Sequence, residues 1–278
     1  DQGMDYVVSL AEVNLASRMG DGIIRRYNQA LTLHMMPINL IGVAISNAAF
    51  PQLTERLASE RPDLFRRDLR SFLRTVIWMI IPICVVTFFA RGYIVHFINN
   101  NGDPVMANIL GCLVMAILFR TVYHMVARGF YAQQDTKTPM YVSIFAIVLN
   151  VALAVILGYY VKLGPYGLAW AQSIVAFVEV VILCVILGRR MPQLFDATFV
   201  KAVAKMALAA VPLAVACYVS VLVIPFRASD DSFLGALPKF GAITIFNFVV
   251  YGALSKWLKL PEIDPVLARM KRLLFSRF

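Results

Sequence analysis

Charge is what this sequence has least of. Only 15% of its 278 residues are Asp, Glu, Lys or Arg, where a soluble domain would carry about a quarter. Together with 60% hydrophobic residues and a mean hydropathy of +0.73, this excludes an ordinary soluble chain. Paired cysteines are also lacking. Cys84, Cys112, Cys184 and Cys217 stand singly in apolar runs, as small hydrophobes do, and make no disulfide framework or metal site. There is no nucleophile elbow, no His-Glu-x-x-His, no glycine-rich phosphate loop and no carboxylate pair at a membrane edge. No enzyme, no cofactor and no metal centre are therefore expected. The chain has no recognisable cleavable signal, does not begin with Met, and opens on what reads as part of an apolar helix. The expectation is a piece of a longer chain.

What is present is a series of apolar stretches. They run over Met4–Ser17, Tyr27–Phe50, Thr75–Ile98, Val105–Tyr131, Met140–Val161, Tyr166–Leu187, Val200–Ile224 and Leu237–Leu258. About 20 such residues cross a bilayer core, so all but the short first stretch are long enough. The expected fold is all-α, a polytopic transmembrane bundle. Short connections rich in breakers, such as Asn99–Pro104, Leu163–Pro165 and Arg227–Ser232, make successive helices antiparallel neighbours.

The net charge of +10 first suggests nucleic acid, but its distribution argues for topology. Six Lys or Arg lie in Arg56–Arg74 and six more between Lys256 and Arg277. Arg128, Lys137, Arg189, Arg190, Lys201 and Lys205 flank the connections on the same side. The opposite connections hold only Lys162 and Arg227, with Arg18, Arg25 and Arg26 in loop 18–26 as the exception. The positive-inside rule puts the rich side, and the C-terminus, in the cytoplasm. After Asp264 and Pro265, the apolar residues Val266, Leu267, Met270, Leu273 and Leu274 share a face, with Arg269, Lys271 and Arg272 off it. Such a basic amphipathic helix lies on anionic lipid headgroups. Ser59–Arg74 reads either as a second interfacial segment or as a solvated charged loop.

Ionisable groups inside apolar spans are functional candidates, because placing one there costs about 2.5–3.5 kcal/mol on insertion scales. Arg120 and His124 are one turn apart and share a face. A guanidinium fork with an imidazole donor suits a phosphate; a structural pairing or snorkelling of Arg120 is the alternative. Asp5 and Glu12 lie two turns apart in the first stretch and suit a coupling cation or an arginine. Asn150 suits a cation or a bond between helices. Glu179 is either functional or half of a structural pair, and His34 and His96 read as packing residues. Pro37, Pro82 and Pro212 fall within spans, where a missing N–H can kink a helix as transporters require.

Three strings carry a family resemblance. Arg128-Gly-Phe-Tyr-Ala-Gln-Gln-Asp-Thr-Lys-Thr-Pro139 is a polar turn between two spans. Pro37-Ile-Asn-Leu-Ile-Gly-Val-Ala-Ile45 is followed by Phe50-Pro51-Gln52-Leu53. The third is Gly164-Pro-Tyr-Gly-Leu-Ala-Trp-Ala171. The first resembles the turn of the MurJ/MviN lipid II flippases, within the multidrug/oligosaccharidyl-lipid/polysaccharide exporter superfamily, and the other two are similar to further strings of that family.

The resemblance implies the C-terminal lobe of a two-lobed, fourteen-helix exporter fold plus two extra helices. Residues 1–192 would form a six-helix lobe with a truncated first helix, 193–260 two added helices grooved for a lipid tail, and 261–278 the basic interfacial helix. It implies lipid II transport from inner to outer leaflet of the bacterial cytoplasmic (inner) membrane by alternating access around a cationic cavity. Arg25, Arg26, Arg120 and His124 would bind substrate. The family's usual eighth-helix arginine falls on Thr32 here. Some members bind sodium. Asp5 and Asn150 match two such ligands, Ala154 stands where a second carboxylate would, and Gln172 is the remaining neighbour. Sodium or the membrane potential would drive the cycle. The partners implied are lipid II, anionic membrane lipids and an N-terminal lobe, with no nucleic acid. The other readings are a cation-coupled drug or polysaccharide-lipid exporter of the same superfamily and a non-transporting scaffold in cell-wall synthesis.

Overall fold

The computed structural model describes residues 22–97, 102–224 and 233–264. Met4–Ser17 with Asp5 and Glu12, the connections at Asn99–Asn101 and Arg227–Ser232, and the tail helix from Pro265 onward lie outside the described residues. Every described element is helical. Among the described residues seven helices are long and apolar enough to span a membrane: α1 (Ile23–Ala58), α2 (Pro62–Phe89), α3 (Pro104–Ala132), α4 (Lys137–Tyr160), α5 (Pro165–Arg190), α6 (Ala197–Val223) and α7 (Phe233–Trp257). At about 1.5 Å of rise per residue, each exceeds the roughly 30 Å hydrocarbon core.

Local chemistry sets the ends of these helices. Asp103 caps α3 by accepting from the amides of Val105 and Met106 at 3.0 and 3.2 Å, and Pro104 fills the first position, where no amide partner is needed. Asp196 caps α6 through the Phe199 amide at 2.9 Å. In α1, Pro37 leads straight into a π-helical turn, Ile38–Val43. Here α1 comes so near α3 that a Cβ on Gly42 would sit 3.0 Å from the Thr121 Cα. In α4 a second π turn, Ile156–Tyr160, meets the start of α5. A Cβ on Gly167 would stand 2.6 Å from the Leu157 carbonyl carbon, so only glycine fits there.

The centre of the bundle is α3, flanked by α5, α2 and α1. Two sequence expectations are corrected. Residues 62–74 are neither an interfacial segment nor a loop: they are the opening turns of α2, whose Phe65, Leu69 and Leu73 are buried in the core with Val126, Phe130 and Leu183. Arg66, Arg70 and Arg74 lie on the other side, toward the chain that leads into α6 or beyond α7. The expected span Thr75–Ile98 breaks at Ala90 into α2 and a short helix, Arg91–His96.

The last two spans are attached through α2. Cys217 and Ile243 pack on Val86, Ala90 and Tyr93. Trp78 Nε1 donates to Ser255 Oγ at 2.9 Å, and the Tyr93 hydroxyl donates to the Ile224 carbonyl. Arg74 Nε stands 2.5 Å from Glu262 Oε1, although its N–H does not point along that line, so the contact is one of charge. Much of the rest of α6 faces outward, with Leu208, Val211, Val215 and Leu222 exposed as lipid-facing residues would be.

Candidate functional site

Intramembrane polar groups collect where α3 meets α1, α4 and α5. On α3, Arg120 Nη2 donates to Gln172 Oε1 of α5 at 2.9 Å. His34 of α1 is buried, and Arg120 is near enough for their charges to interact. Its Nδ1 is 2.6 Å from the Leu31 carbonyl, so Nδ1 carries the proton and Nε2 is left as the acceptor. That Nε2 has no hydrogen-bond partner among the described residues. One turn along α3, Tyr123 Oη lies 3.1 Å from Ser143 Oγ, which donates to Glu179 Oε1 at 2.8 Å. Glu179 is only 6% exposed. Next to this set, Ser173 Oγ accepts from the Ala116 amide and donates to the Cys112 carbonyl, locking α5 to α3.

The four substrate-binding candidates do not converge. Arg26 forms an ion pair at 2.7 Å with Asp103, the cap of α3. Arg120 is 17 residues further along that helix, roughly 25 Å away by helical rise. Arg25 is exposed beside Arg26. His124 stays one turn from Arg120, half-buried, with its ring 5.7 Å from that of Tyr123. The residue that the sequence did not pair with Arg120 is His34, which it read as packing. The only signal available was a second ionisable group in the span that begins at Arg25 and Arg26.

The cation-binding candidates fit a sodium ion poorly. Asn150 is 1% exposed, and neither its amide nitrogen nor its oxygen has a hydrogen-bond partner among the described residues. Such an orphan amide suits a ligand. Gln172 instead gives its oxygen to the cation Arg120, and Ala154 offers no donor. Asp5 lies outside the described residues. Among the described residues no group of three or more His, Cys, Asp or Glu is placed to hold a metal. A single amide oxygen is not a cation cage.

The polar turn at 128–139 is an ordered staple. Gln134 takes a left-handed φ of 59°. Asp135 Oδ1 accepts from the Lys137 and Thr138 amides at 3.0 Å each, and Thr138 Oγ1 donates to Oδ2 at 2.6 Å. Arg190, at the end of α5, adds 2.5 Å to Asp135 Oδ2 and 2.9 Å to Thr138 Oγ1. The Thr138 hydroxyl and amide, then Arg190, hold the Asp135 carboxyl far below the usual carboxylate range. At the α3 end of the turn, Arg128 donates to Asn47 Oδ1 at 2.5 Å and its guanidinium stacks on Phe50 and Tyr131.

The family profile described as Lipid II flippase MurJ matches residues 2–231. The chain belongs to the MurJ lipid II flippase family. Among its relatives are a probable lipid II flippase MurJ of Thermotoga maritima, 24% identical over 96% of this chain and 52% of that protein, and one of Rhizobium tropici, 22% identical over 91% and 48%. The chain thus spans about half the length of these curated relatives. A solved lipid II flippase MurJ, in an inward closed conformation, superposes with a TM-score of 0.73 at 22% identity, over 91% of this chain and 50% of that one. An outward-facing multidrug resistance transporter of the MATE family in the MOP superfamily gives 0.64 at 11% identity, over 94% and 62%. These likenesses establish the fold: an all-helical MurJ-type lobe with the two further helices α6 and α7. With seven apolar spans among the described residues, the chain is a multi-pass protein of the inner membrane.

Proposed function

We propose that this chain forms the C-terminal half of a flippase that carries lipid II, the undecaprenyl-pyrophosphate-linked peptidoglycan precursor, from the inner to the outer leaflet by alternating access. The observation that carries this reading is Arg120. A guanidinium is kept mid-span on the central helix, oriented by a neutral amide, where insertion alone costs about 2.5–3.5 kcal/mol. That expense fits a group that meets an anion, and a guanidinium matches pyrophosphate oxygens in pairs. His124 would add a donor from α3, and the His34 Nε2 on α1 would accept from a substrate hydroxyl or amide. Because α1 changes its winding at the π turn and α3 contributes the cation, the site would open and close as these helices shift against an N-terminal lobe. The arginine-rich ends of α2, α3 and α5 and the C-terminus would face the cytoplasm, and α6 with α7 would guide the lipid tail.

The test uses the full-length protein in cells depleted of the native flippase, with lipid II counted on the outer leaflet. Arg120→Ala combined with His124→Ala is expected to abolish rescue while the protein still reaches the membrane. Rescue at the wild-type level would overturn the site.

One observation favours a second reading, a cation-coupled exporter of the same superfamily. Glu179 is a buried carboxylate within the bundle that accepts from the Ser143 hydroxyl, and an ionisable group kept there suits a coupling acid. That reading predicts that Glu179→Gln abolishes drug efflux and leaves lipid II flipping intact.

A further inference from the structure

A groove of about 760 Å³ runs between α2, α3 and α5 on a face of α3 turned away from Arg120. Its floor is Asn108, Gly111, Met115 and Leu118, which recur on one side of the helix. Phe88 forms one wall and Trp170 the other. Phe88, Met115 and Trp170 are 42%, 43% and 44% exposed, so the groove opens to the surroundings of the bundle. From Asn108 to Leu118 the floor is roughly 15 Å long by helical rise, about half of a bilayer core.

The head of the groove is cationic. Arg91, the first residue of the short helix, lies along Gly111, where a Cβ would come within 3.3 Å of its Cδ. Its Nη1 donates to the Phe88 carbonyl at 2.7 Å, its Nη2 reaches Asn108 Oδ1 at 3.5 Å, and its guanidinium lies 5.0 Å over the Phe88 ring. All of these partners are neutral. A guanidinium at the membrane edge, without a counter-charge among the described residues, above an apolar trough one leaflet deep, complements a phosphate joined to an acyl chain.

We propose that this groove binds one anionic phospholipid of the leaflet on the Arg91 side, with the phosphate on Arg91 and Asn108 and a chain along Met115 to Leu118. Native mass spectrometry of the detergent-purified full-length protein, titrated with phosphatidylglycerol or phosphatidylcholine, tests it. The wild type should retain one phosphatidylglycerol with about tenfold preference, the worth of one charge-assisted contact. Arg91→Gln should erase the preference, and Arg91→Lys should keep most of it. Met115→Trp, which fills the floor, should weaken retention of both lipids about equally. A wild-type preference in Arg91→Gln, or unchanged retention in Met115→Trp, would overturn the site. So would a photo-crosslinker on Met115→Cys that labels protein instead of a lipid chain, a readout that needs no change at Arg91.

Discussion

Arg120 of α3 and Gln172 of α5 are 52 residues apart in sequence and share a 2.9 Å hydrogen bond in the middle of the span. The amide fixes the direction of the guanidinium without cancelling its charge. Replacing Gln172 with Leu removes that orienting contact and leaves the cation. Lipid II flipping in the rescue assay should fall about tenfold, equivalent to about 1.4 kcal/mol, with little change in thermal stability. Gln172→Glu should be worse for flipping, because it sets a carboxylate directly against the guanidinium, while raising the melting temperature.

Close helix approaches give a second expectation. At Gly167 even a methyl group meets backbone at 2.6 Å, which cannot be relieved by a side-chain rotation. Gly167→Ala should destabilise the detergent-solubilised protein by about 1–3 kcal/mol in a thermal unfolding measurement. Gly188→Ala, which meets only the edge of the Phe195 ring at 3.2 Å, should be milder.

The staple at Asp135 makes stability depend on pH with a definite sign. Its carboxyl is held low in the folded chain by Thr138 and Arg190, against an unfolded value near 3.9. The resulting stabilisation is fully present above about pH 4 and is lost as pH falls toward the folded value. Asp135→Ala should cost about 1 kcal/mol at pH 7, a capping contribution with a partly screened ion pair. The gap between the melting temperatures of wild type and variant should narrow as pH falls from 7 to 3.

Docking of α6 and α7 rests on few polar contacts, so each is testable. Glu262 has a side chain only 6% exposed, against Arg74 at 19%. Glu262→Ala strands that arginine and should cost about 3 kcal/mol. Hydrogen exchange should then accelerate at Leu258–Ile263, where the Leu260 amide now bonds to the Ser255 carbonyl. Substituting both Arg74→Met and Glu262→Met should recover most of the loss.

The spans and the turn were legible in the sequence because they are local. A bilayer demands uninterrupted apolar length, and Asp135, Thr138 and Pro139 announce a helix start within a few positions. Residues 62–74 were misread because their charge is dense, yet Phe65, Leu69 and Leu73 recur every fourth residue and bury one face while the arginines reach outward. The site was legible as a set of costly residues but not as a set of neighbours. Arg26 bonds across 77 positions and Arg120 across 52, and no spacing rule reports pairings between helices that far apart. His34 looked like packing because burial and proximity to a cation on another helix leave the same trace in a sequence.

The π turn at Ile38–Val43 amounts to one extra residue wound into α1. One residue is about 100° of helical rotation. The turn absorbs that residue by winding less per step, so His34 before it and Gly42 within it keep the azimuths a plain helix one residue shorter would give them. Deleting Leu40, which is exposed, would remove the extra residue together with the wide turn, and His34 and the Gly42 contact should both keep their places. The wide turn is thus where α1 can gain or lose a residue without disturbing the polar centre.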